Sequence, residues 1–415
     1  MQARGDEWSG RHSSSRNLSP KVRSADSDGG CLEYSRETRE GAGKSGLIDA
    51  GASGEGIPAS AGRGKSQSID RSPRLLVLHD TREWDTEANR DNFLPLSRTA
   101  EERGFVVGHL QVTTIDDLRK MLSEFSPDMI ACASFPQEQD FVKRAQSLLE
   151  GTHVALIGPS PASIGKTRYL PTMRAELEAW KLPVHKWQVI HPDSDGEIRD
   201  LATLEALVDF PYFVRPALRT DGSSDKGLTA SFSAELYYAV YAYCKSKQDV
   251  VIEHVDVDLP DCRHYLVSML GSGATSIVAP AEVMVPEGGK DRRFTKNRED
   301  AIVFSPVSDP VVRGRITRLA RRSFDALGVT DYGQCLVEQR GNDLFILDVD
   351  CQPYIHDEGF WRCFSTMGIN QDNIAIAVLY ACLVACVAEG KGFFSALFPL
   401  RKCLPGEIIT RLESA

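Results

Sequence analysis

The chain has 415 residues, 42% of them hydrophobic and 26% charged, and 58 acidic against 48 basic residues give a formal net charge of −10. This length predicts two or three structural units. An acidic chain is a poor general scaffold for nucleic acid, although a local basic groove for phosphates is compatible with it. Ten cysteines without a Cys-x-x-Cys pair resemble neither a disulfide framework nor a zinc site. We therefore expect reduced thiols and a protein that binds neither nucleic acid nor membranes.

Residues 1–72 differ from the rest in composition. They are rich in Gly, Ser, Arg and acidic residues, and their apolar residues are isolated, as in "GRHSSSRNLSPKVRSADSDGG" (10–30). Such a segment cannot bury enough surface to offset its ordering entropy, so we predict a disordered N-terminal extension, either inert or used for docking. It lacks the apolar stretch of a secretory signal and is too acidic for a transit peptide, which favours a cytoplasmic location.

From Arg74 onwards, short apolar runs alternate with helical patterns. Strands are predicted over 74–80, 105–112, 128–134 and 153–161, and helices over 92–104, 114–127 and 138–150. Alternation of this kind with short Gly or Pro turns is typical of a parallel sheet covered on both faces. We expect a Rossmann-like domain over 73–160, and the absence of a Gly-x-Gly-x-x-Gly motif gives dinucleotide binding no support.

The remaining sequence predicts a helix and a strand in 166–190, strand segments in 204–231, a helix over 234–247 and a strand over 249–257. Antiparallel strands follow at 264–270 and 275–285, then a long helix at 309–329, a hairpin at 331–350 with a Gly-Asn-Asp turn, and a last helix at 371–389. The apolar stretch 374–388 is shorter than the roughly 20 residues that a bilayer requires, so we predict a buried core helix. Cys382 and Cys386 would be small buried hydrophobes of that helix.

Two strand ends carry residues that could bind a ligand. "VRPALRTDGSSDKG" (214–227) places Arg215 before a Gly- and Ser-rich loop, whose N–H and hydroxyl groups could hold phosphate oxygens. Any Gly-Ser turn looks similar, so a plain turn stays open. "VVIEHV" (250–255) is a strand that ends in an acid, and taken alone it is compatible with a solvated strand end.

A third feature is a pair of carboxylates in "FILDVD" (345–350). Period-two alternation places Asp348 and Asp350 on one strand face, about 6–7 Å apart. They are a candidate Mg²⁺ site bridging substrate phosphates, and Glu338 on the partner strand could reach the same region. Two solvent-facing acids are the open alternative.

The order of these features resembles the ATP-grasp superfamily, and within it the D-alanine–D-alanine ligases, from Arg74 to about Glu389. The resemblance implies an α/β fold, α+β in the C-terminal part, in which the Rossmann-like domain precedes a two-lobed ATP-grasp domain. Its central subdomain would span 161–256 and its C-terminal subdomain 257–405. The implied reaction is the ATP-dependent joining of a small-molecule carboxylate and an amine through an acylphosphate, with Mg²⁺ or Mn²⁺ as the metal. A homodimer is implied as well.

Nucleotide-binding residues follow from the resemblance at matching positions. "IGPSPASIGK" (157–166) resembles the start of the family's ATP-grasp domain, "FPYFVRP" (210–216) its phosphate-binding strand and "VVIEHV" its adenine-binding hinge. The polar stretch 288–300 stands at the family's lid loop, where Arg293 is an alternative phosphate contact. The residues implied in nucleotide binding are Lys166, Arg215, Gly222, Ser223, Glu253, His254, Val255 and Lys296.

Several positions depart from the family pattern. Its first metal-binding Asp falls on Leu336, which leaves Glu338, Asp348 and Asp350 as the implied metal ligands. The Arg that stabilises the tetrahedral intermediate falls on Gln334, so the implied catalytic residues are Arg219, Ser224 and Gln334. The motif that grips the first D-alanine is absent, and an amino-acid-type substrate other than D-alanine is therefore expected.

Two functional hypotheses remain open at this point. Retained residues such as Lys166 and Glu253 favour an active ATP-dependent carboxylate–amine ligase. Leu336 and Gln334 in place of the family's Asp and Arg, and Arg215 in place of its lysine, favour a degenerate ATP-grasp protein. Such a protein would bind nucleotide, or a partner, without turnover. A serine hydrolase is disfavoured because the sequence has no Gly-x-Ser-x-Gly elbow.

Overall fold

A computed structural model provides the coordinates of the protein. It describes residues 72–79, 87–132, 139–150, 152, 154–199, 201–219, 227–254, 262–284, 302–390 and 394–414. The N-terminal extension is predicted to be disordered, and its residues up to position 71 lie outside the described residues. All the described residues belong to one compact unit.

The first sheet is parallel and has four strands in the order β2-β1-β3-β4. Its strands are β1 (Arg74–His79), β2 (Val106–Gln111), β3 (Met129–Cys132) and β4 (Ala155–Ile157), and the connecting helices are α1 (Glu87–Glu102), α2 (Ile115–Phe125) and α3 (Gln139–Glu150). β1 and β3 are buried along almost their whole length, as expected of strands covered on both faces. The Rossmann-like prediction is confirmed.

The second sheet is antiparallel and has the order β5-β8-β6-β7. Its strands are β5 (Trp187–Ile190), β6 (Tyr212–Pro216), β7 (Leu228–Ala230) and β8 (Val250–His254). The helices of this part of the chain are α4 (Pro161–Arg168), α5 (Leu170–Ala179), α6 (Leu201–Glu205) and α7 (Ser233–Lys245). Leu236 and Val240 of α7 pack with Val214 and Ile252 of the sheet in one apolar cluster. The opposite face of β6 and β8 is free to carry Arg215 and Glu253, because side chains alternate along a strand.

The third sheet is antiparallel and has five strands in the order β11-β10-β9-β12-β13. Its elements are β9 (Cys262–Leu270), β10 (Ile277–Met284), β11 (Val303–Pro306), α8 (Pro310–Leu327), β12 (Tyr332–Arg340) and β13 (Asp343–Asp350). α8 begins at Asp309, whose carboxylate accepts the N–H groups of Val311 and Val312, and it ends at Gly328 in the left-handed region. The mixed α/β fold with parallel and antiparallel sheets agrees with the sequence prediction, whereas the subdomain boundaries at 160 and 256 stay predictions.

The C-terminal part contains more helix than the sequence predicts. It comprises α9 (Glu358–Arg362), α10 (Ile374–Ala388), α11 (Phe394–Arg401) and α12 (Gly406–Glu413). The prediction that the helix at 371–389 is the last one was wrong, because α11 and α12 follow it and pack against the same apolar cluster. Cys382 and Cys386 are buried in α10, as predicted. Among the described residues, no helix combines the length and apolarity needed to cross a membrane.

The hairpin of β12 and β13 contains a register shift that sorts its side chains. Leu336 pairs with Asp348 and Val337 pairs with Ile346, so Leu347 is an extra residue in β13. The shift lets Ile346 and Val349 both face the core beneath α8, where they are fully buried. Asp348 consequently points to the opposite face of the sheet, together with Asp350.

Asp331 joins the parallel sheet to the five-stranded sheet. Its Oδ2 accepts the N–H of Gly158 (2.7 Å) after β4, and its Oδ1 accepts the hydroxyl of Ser272 (2.8 Å) after β9. Its side chain is only 5% exposed. Burial raises the pKa of Asp331 to about 6, although these two hydrogen bonds oppose the shift.

This raised pKa predicts a specific pH dependence of stability. Between the ordinary pKa of an aspartate and about 6, the folded chain keeps a proton on Asp331 that the unfolded chain has lost, so stability falls as the pH rises. A shift of about two units corresponds to roughly 3 kcal/mol. The Asp331→Asn variant should therefore gain up to that amount in free energy of unfolding, relative to the parent, between pH 4 and 7. Denaturant titrations at several pH values measure the free energy of unfolding of the parent, of Asp331→Asn and of the exposed control Asp343→Asn. If the profiles of the parent and Asp331→Asn run parallel, the prediction is wrong.

Candidate active site

A buried ion-pair network lies between the second and third sheets, and it begins at Glu253 of β8. Arg215 of β6 donates from Nη2 to Glu253 Oε2 (3.0 Å), and Arg174 of α5 contacts Glu253 Oε1. The three residues are at most 7% exposed. Arg215 and Glu253 share one sheet face because Phe213, two residues before Arg215, pairs directly with Glu253.

Arg174 extends the network to the third sheet. Its Nη1 donates to the carbonyl of Ile346 (2.8 Å) and its Nη2 to the carbonyl of Leu347 (2.7 Å), at the bulge of β13. One guanidinium therefore holds α5, β8 and β13 together. Burial lowers the pKa of Arg174, and the charge of Glu253 opposes this shift.

Asp348 is the second acid of the network. It forms an ion pair with Arg219, and Arg215 Nη1 lies 3.9 Å from its Oδ2. Arg219 also donates from Nη1 to the carbonyl of Val349 (2.9 Å). Burial lowers the pKa of Arg219 to about 10, and the charge of Asp350 opposes the shift, so the guanidinium stays charged at neutral pH.

The network has more positive than negative groups in direct contact. Three guanidinium groups surround the carboxylates of Glu253 and Asp348. In the described part of the chain, the buried Nε–H groups of Arg174, Arg215 and Arg219 find no acceptor. Buried donors that lack acceptors are costly, and an anion placed among them would satisfy them. This region between the second and third sheets, the cleft, is therefore a candidate site for an anion.

Glu338 does not join this network. Its Oε1 lies 3.1 Å from His185 Nε2 and contacts Arg340, and its Oε2 lies 3.5 Å from His264 Nε2. Although burial opposes the charge, hydrogen bonds from these neighbours hold the pKa of Glu338 well below its usual range. In the described residues, Glu338, Asp348 and Asp350 do not form a group of three whose ligand atoms all lie within 4.8 Å of one another. Asp348 and Asp350 thus share one sheet face with Glu338, but the described contacts of Glu338 are with other residues.

Other predicted residues lie around the network. Lys166 of α4 pairs with Glu176 of α5, with Nζ 3.2 Å from Oε1, and is about one third exposed. Gln334 of β12 donates from Nε2 to Ser268 Oγ (3.3 Å) on the cleft face, and it pairs with Asp350 in the ladder. His254 ends β8, and its ring packs edge-on against Tyr212 at 5.7 Å. Their roles in nucleotide binding and catalysis stay predictions.

Part of the predicted site falls outside the described residues. It comprises the phosphate-loop residues Gly222, Ser223 and Ser224, the hinge residue Val255, and the lid residues Arg293 and Lys296.

Arg174 is the residue of this network that the sequence analysis missed. It stands in the buried stripe of α5 together with Leu170, Met173 and Leu177, at positions i, i+3, i+4 and i+7. A charged residue at a core-facing position was therefore the available signal. Its partners on β8 and β13 are 79 and 172 residues away, which local periodicity cannot indicate.

The residues of the cleft differ in how well they suit a divalent cation. Asp348 and Asp350 offer hard oxygen donors on one strand face, which suits one Mg²⁺ shared with substrate phosphates. Among the described residues, Asp350 Oδ1 accepts one hydrogen bond, from the backbone N–H of Gln352 (2.8 Å). Leu336, directly opposite Asp348, offers no donor, and Glu338 turns its oxygens to His185, His264 and Arg340.

Comparison with known proteins places the fold. The chain is 26% identical over 224 residues to a D-alanine–D-alanine ligase of Burkholderia multivorans, a match that covers 52% of this chain and 68% of that protein. The crystal structure of a D-alanine–D-alanine ligase from Bacillus anthracis complexed with ATP has a TM-score of 0.56 at 13% identity, and it covers 77% of this chain and all of that one. A D-Ala:D-Ser ligase from Enterococcus faecalis has a TM-score of 0.55 at 13% identity, over 75% of this chain and all of that one. No protein-family model matches the chain.

These likenesses confirm the fold and the resemblance. The chain has the fold of the D-alanine–D-alanine ligases, the ATP-grasp fold, with the parallel sheet ahead of two antiparallel sheets. The curated relative with sequence similarity is itself a ligase, at 26% identity.

The network predicts that Arg174 is a principal stabilising residue. Replacing it by Met removes one of the two arginines on Glu253 and leaves the carbonyls of Ile346 and Leu347 without their donor. Breaking a buried pair of this kind costs about 3–5 kcal/mol. Urea titration of Arg174→Met should show this loss in free energy of unfolding. The matched control is Arg263→Met, which removes the exposed partner of Glu282, and an equal loss in both variants would contradict the assignment.

Proposed function

We propose that this protein is an ATP-dependent ligase that joins a small-molecule carboxylate to an amine, with ATP and Mg²⁺ or Mn²⁺ as cofactors. The observation that carries the proposal is the cationic cleft between the two antiparallel sheets. Three buried guanidinium groups surround two carboxylates there and retain unpaired Nε–H donors among the described residues. A nucleoside triphosphate supplies the anionic oxygens that this arrangement lacks.

The proposed reaction has two steps. An oxygen of the substrate carboxylate attacks the γ-phosphorus of ATP, the bond to the bridging oxygen breaks, and ADP leaves. The amine nitrogen then attacks the carbonyl carbon of the acylphosphate, inorganic phosphate leaves, and the nitrogen loses a proton. A bound Mg²⁺, held by Asp348 and Asp350, would offset phosphate charge.

Arg215 and Arg219 have a direct role in this proposal. Both form ion pairs with Asp348 in the structure, and in the proposed reaction both would donate to phosphate oxygens. Fixed cations in a site shielded from water stabilise the charge that develops on the transferred group. Arg219 would supply the positive charge that Gln334 lacks.

The substrates are proposed to be amino-acid-like but different from D-alanine. Gln334 keeps a hydrogen-bond donor at the position where the resemblance implies a cation, and Pro353-Tyr354 stands where it implies a Pro-Gly pair beside the acceptor, so that Tyr354 adds bulk there. A small carboxylate and a small amine fit these substitutions.

A second candidate function is nucleotide binding without turnover. The ion pair of Arg219 with Asp348 favours it, because a carboxylate neutralised by a guanidinium is a weaker metal ligand. Leu336 favours it as well, because it removes one oxygen donor from the same rung of the hairpin.

The ligase proposal predicts ADP release that depends on Asp348. Purified protein with ATP and Mg²⁺ is screened across pairs of amino acids and small carboxylates. In a pair that releases ADP, Asp348→Ala should lower the rate at least about 100-fold, since charge stabilisation by a metal is worth several kcal/mol. Asp343→Ala, an exposed acid of the same hairpin, should leave the rate unchanged.

The same assay separates the two candidates. If ATP raises the melting temperature, no pair releases ADP, and Asp348→Ala behaves like the parent, then the ligase proposal is wrong and nucleotide binding remains. If ATP with Mg²⁺ has no effect on the melting temperature, both candidates fail.

A further inference from the structure

We propose that Cys262, His264 and Glu338 form a binding site for a zinc-class divalent ion, separate from the Mg²⁺ site of the proposed ligase. The three residues lie on one face of neighbouring antiparallel strands. His264 of β9 pairs directly with Glu338 of β12, and Cys262 stands two residues before His264 on the same strand. Period-two alternation therefore directs the three side chains to the same side of the sheet.

The distances between the donor atoms suit such an ion. One ligand atom from each residue can be chosen so that all three lie within 4.8 Å of one another. His264 Nε2 and Glu338 Oε2 are 3.5 Å apart. Zn–N, Zn–O and Zn–S bonds of about 2.0–2.3 Å place the donors of a tetrahedral site about 3.3–3.8 Å apart, so little movement is required.

Glu338 is oriented by neighbours that leave one oxygen for the ion. Oε1 is engaged by His185 Nε2 at 3.1 Å and by Arg340, while Oε2 faces His264. Hydrogen-bonded carboxylates are common around metal ions, because the outer contacts fix the orientation of the ligand. His185 is itself fixed by stacking on Phe345 at 4.6 Å. Arg340 balances the charge of the carboxylate from the side away from Oε2.

The donor set selects the class of ion. A thiolate, an imidazole and a carboxylate suit Zn²⁺ or Co²⁺, whereas Mg²⁺ prefers oxygen donors alone. Cys262 and His264 are half-buried and Glu338 is buried, which leaves a route from solvent and a fourth position for water. Binding would convert the Cys262 thiol to a thiolate and release its proton to solvent.

This site is structurally distinct from the arginine network. Asp350 lies two rungs from Glu338, and Asp348, on the intervening Leu266–Leu336 rung, pairs with Arg215 and Arg219. The described contacts of Glu338 and those of Asp348 involve different residues. The inference therefore does not rest on the proposed ligase activity.

The test is metal binding by the full-length chain without nucleotide. Chelator-treated protein is titrated with Zn²⁺ against a chromophoric chelator, and the parent should bind one Zn²⁺ per chain at this site. Cys262→Ser and His264→Ala should each weaken binding at least tenfold, and His185→Ala should weaken it by roughly 10–100-fold through loss of an outer contact. Co²⁺ should give a thiolate charge-transfer band in the parent that Cys262→Ser abolishes.

Matched variants keep the result interpretable. Cys403→Ser removes another half-buried thiol and His191→Ala another partly exposed imidazole, and both should bind Zn²⁺ like the parent. Asp350→Asn should also retain Zn²⁺ binding, which separates this site from the Mg²⁺ site. Failure of the parent to bind Zn²⁺, or equal affinity in Cys262→Ser and the parent with both folded by circular dichroism, would overturn the proposal. Neither result depends on ADP release.

Discussion

The pairing of Arg174 with Glu253 is the interaction on which the cleft depends. Both groups are buried, and an ionised group in the interior is tolerated only when it is paired and hydrogen-bonded. Arg174 meets this condition with one carboxylate and two strand carbonyls, so it fixes α5, β8 and β13 relative to one another. Glu253 then holds Arg215, and Arg215 reaches Asp348. The positions of the cationic groups therefore follow from one buried ion pair.

The bulge at Leu347 determines which groups the third sheet presents to this network. In a regular ladder, the side chains of 346 and 348 would point to the same side, and either Ile346 would leave the core or Asp348 would enter it. The extra residue lets Ile346 and Val349 pack beneath α8 while Asp348 faces the arginines. It also turns the carbonyl of Leu347 towards Arg174. A local irregularity of one strand thus serves both the core and the site.

The sequence was sufficient where the signal is local. Runs such as "RLLVLH" and the Gly-Asn turn of the hairpin indicate their elements directly, and the order of strands and helices was predicted from them. The short strand β11 and the helix α11 were missed because they bury only part of their length and show weak periodicity, whereas α12 was missed although its apolar residues recur with a helical period. At the site, a shared face for Asp348 and Asp350 followed from alternation. The contacts of Arg174, and those of Glu338 with His185 and His264, join residues more than 70 positions apart, and only the tertiary fold brings them together.

The substitutions in the cleft are related through charge. Leu336 removes an acid from the position opposite Asp348, while Arg215 brings a guanidinium to a strand end where the resemblance implies a lysine. A guanidinium presents donors in a planar fork and can serve two carboxylates at once, as Arg215 does with Glu253 and Asp348, whereas an ammonium is a compact point charge. Arg219 adds a further cation to the same carboxylate. The cleft consequently combines fewer metal ligands with more fixed positive charge. In the proposed ligase, the protein's own cations would therefore take a larger share of the phosphate charge, beside a single divalent ion held by Asp348 and Asp350.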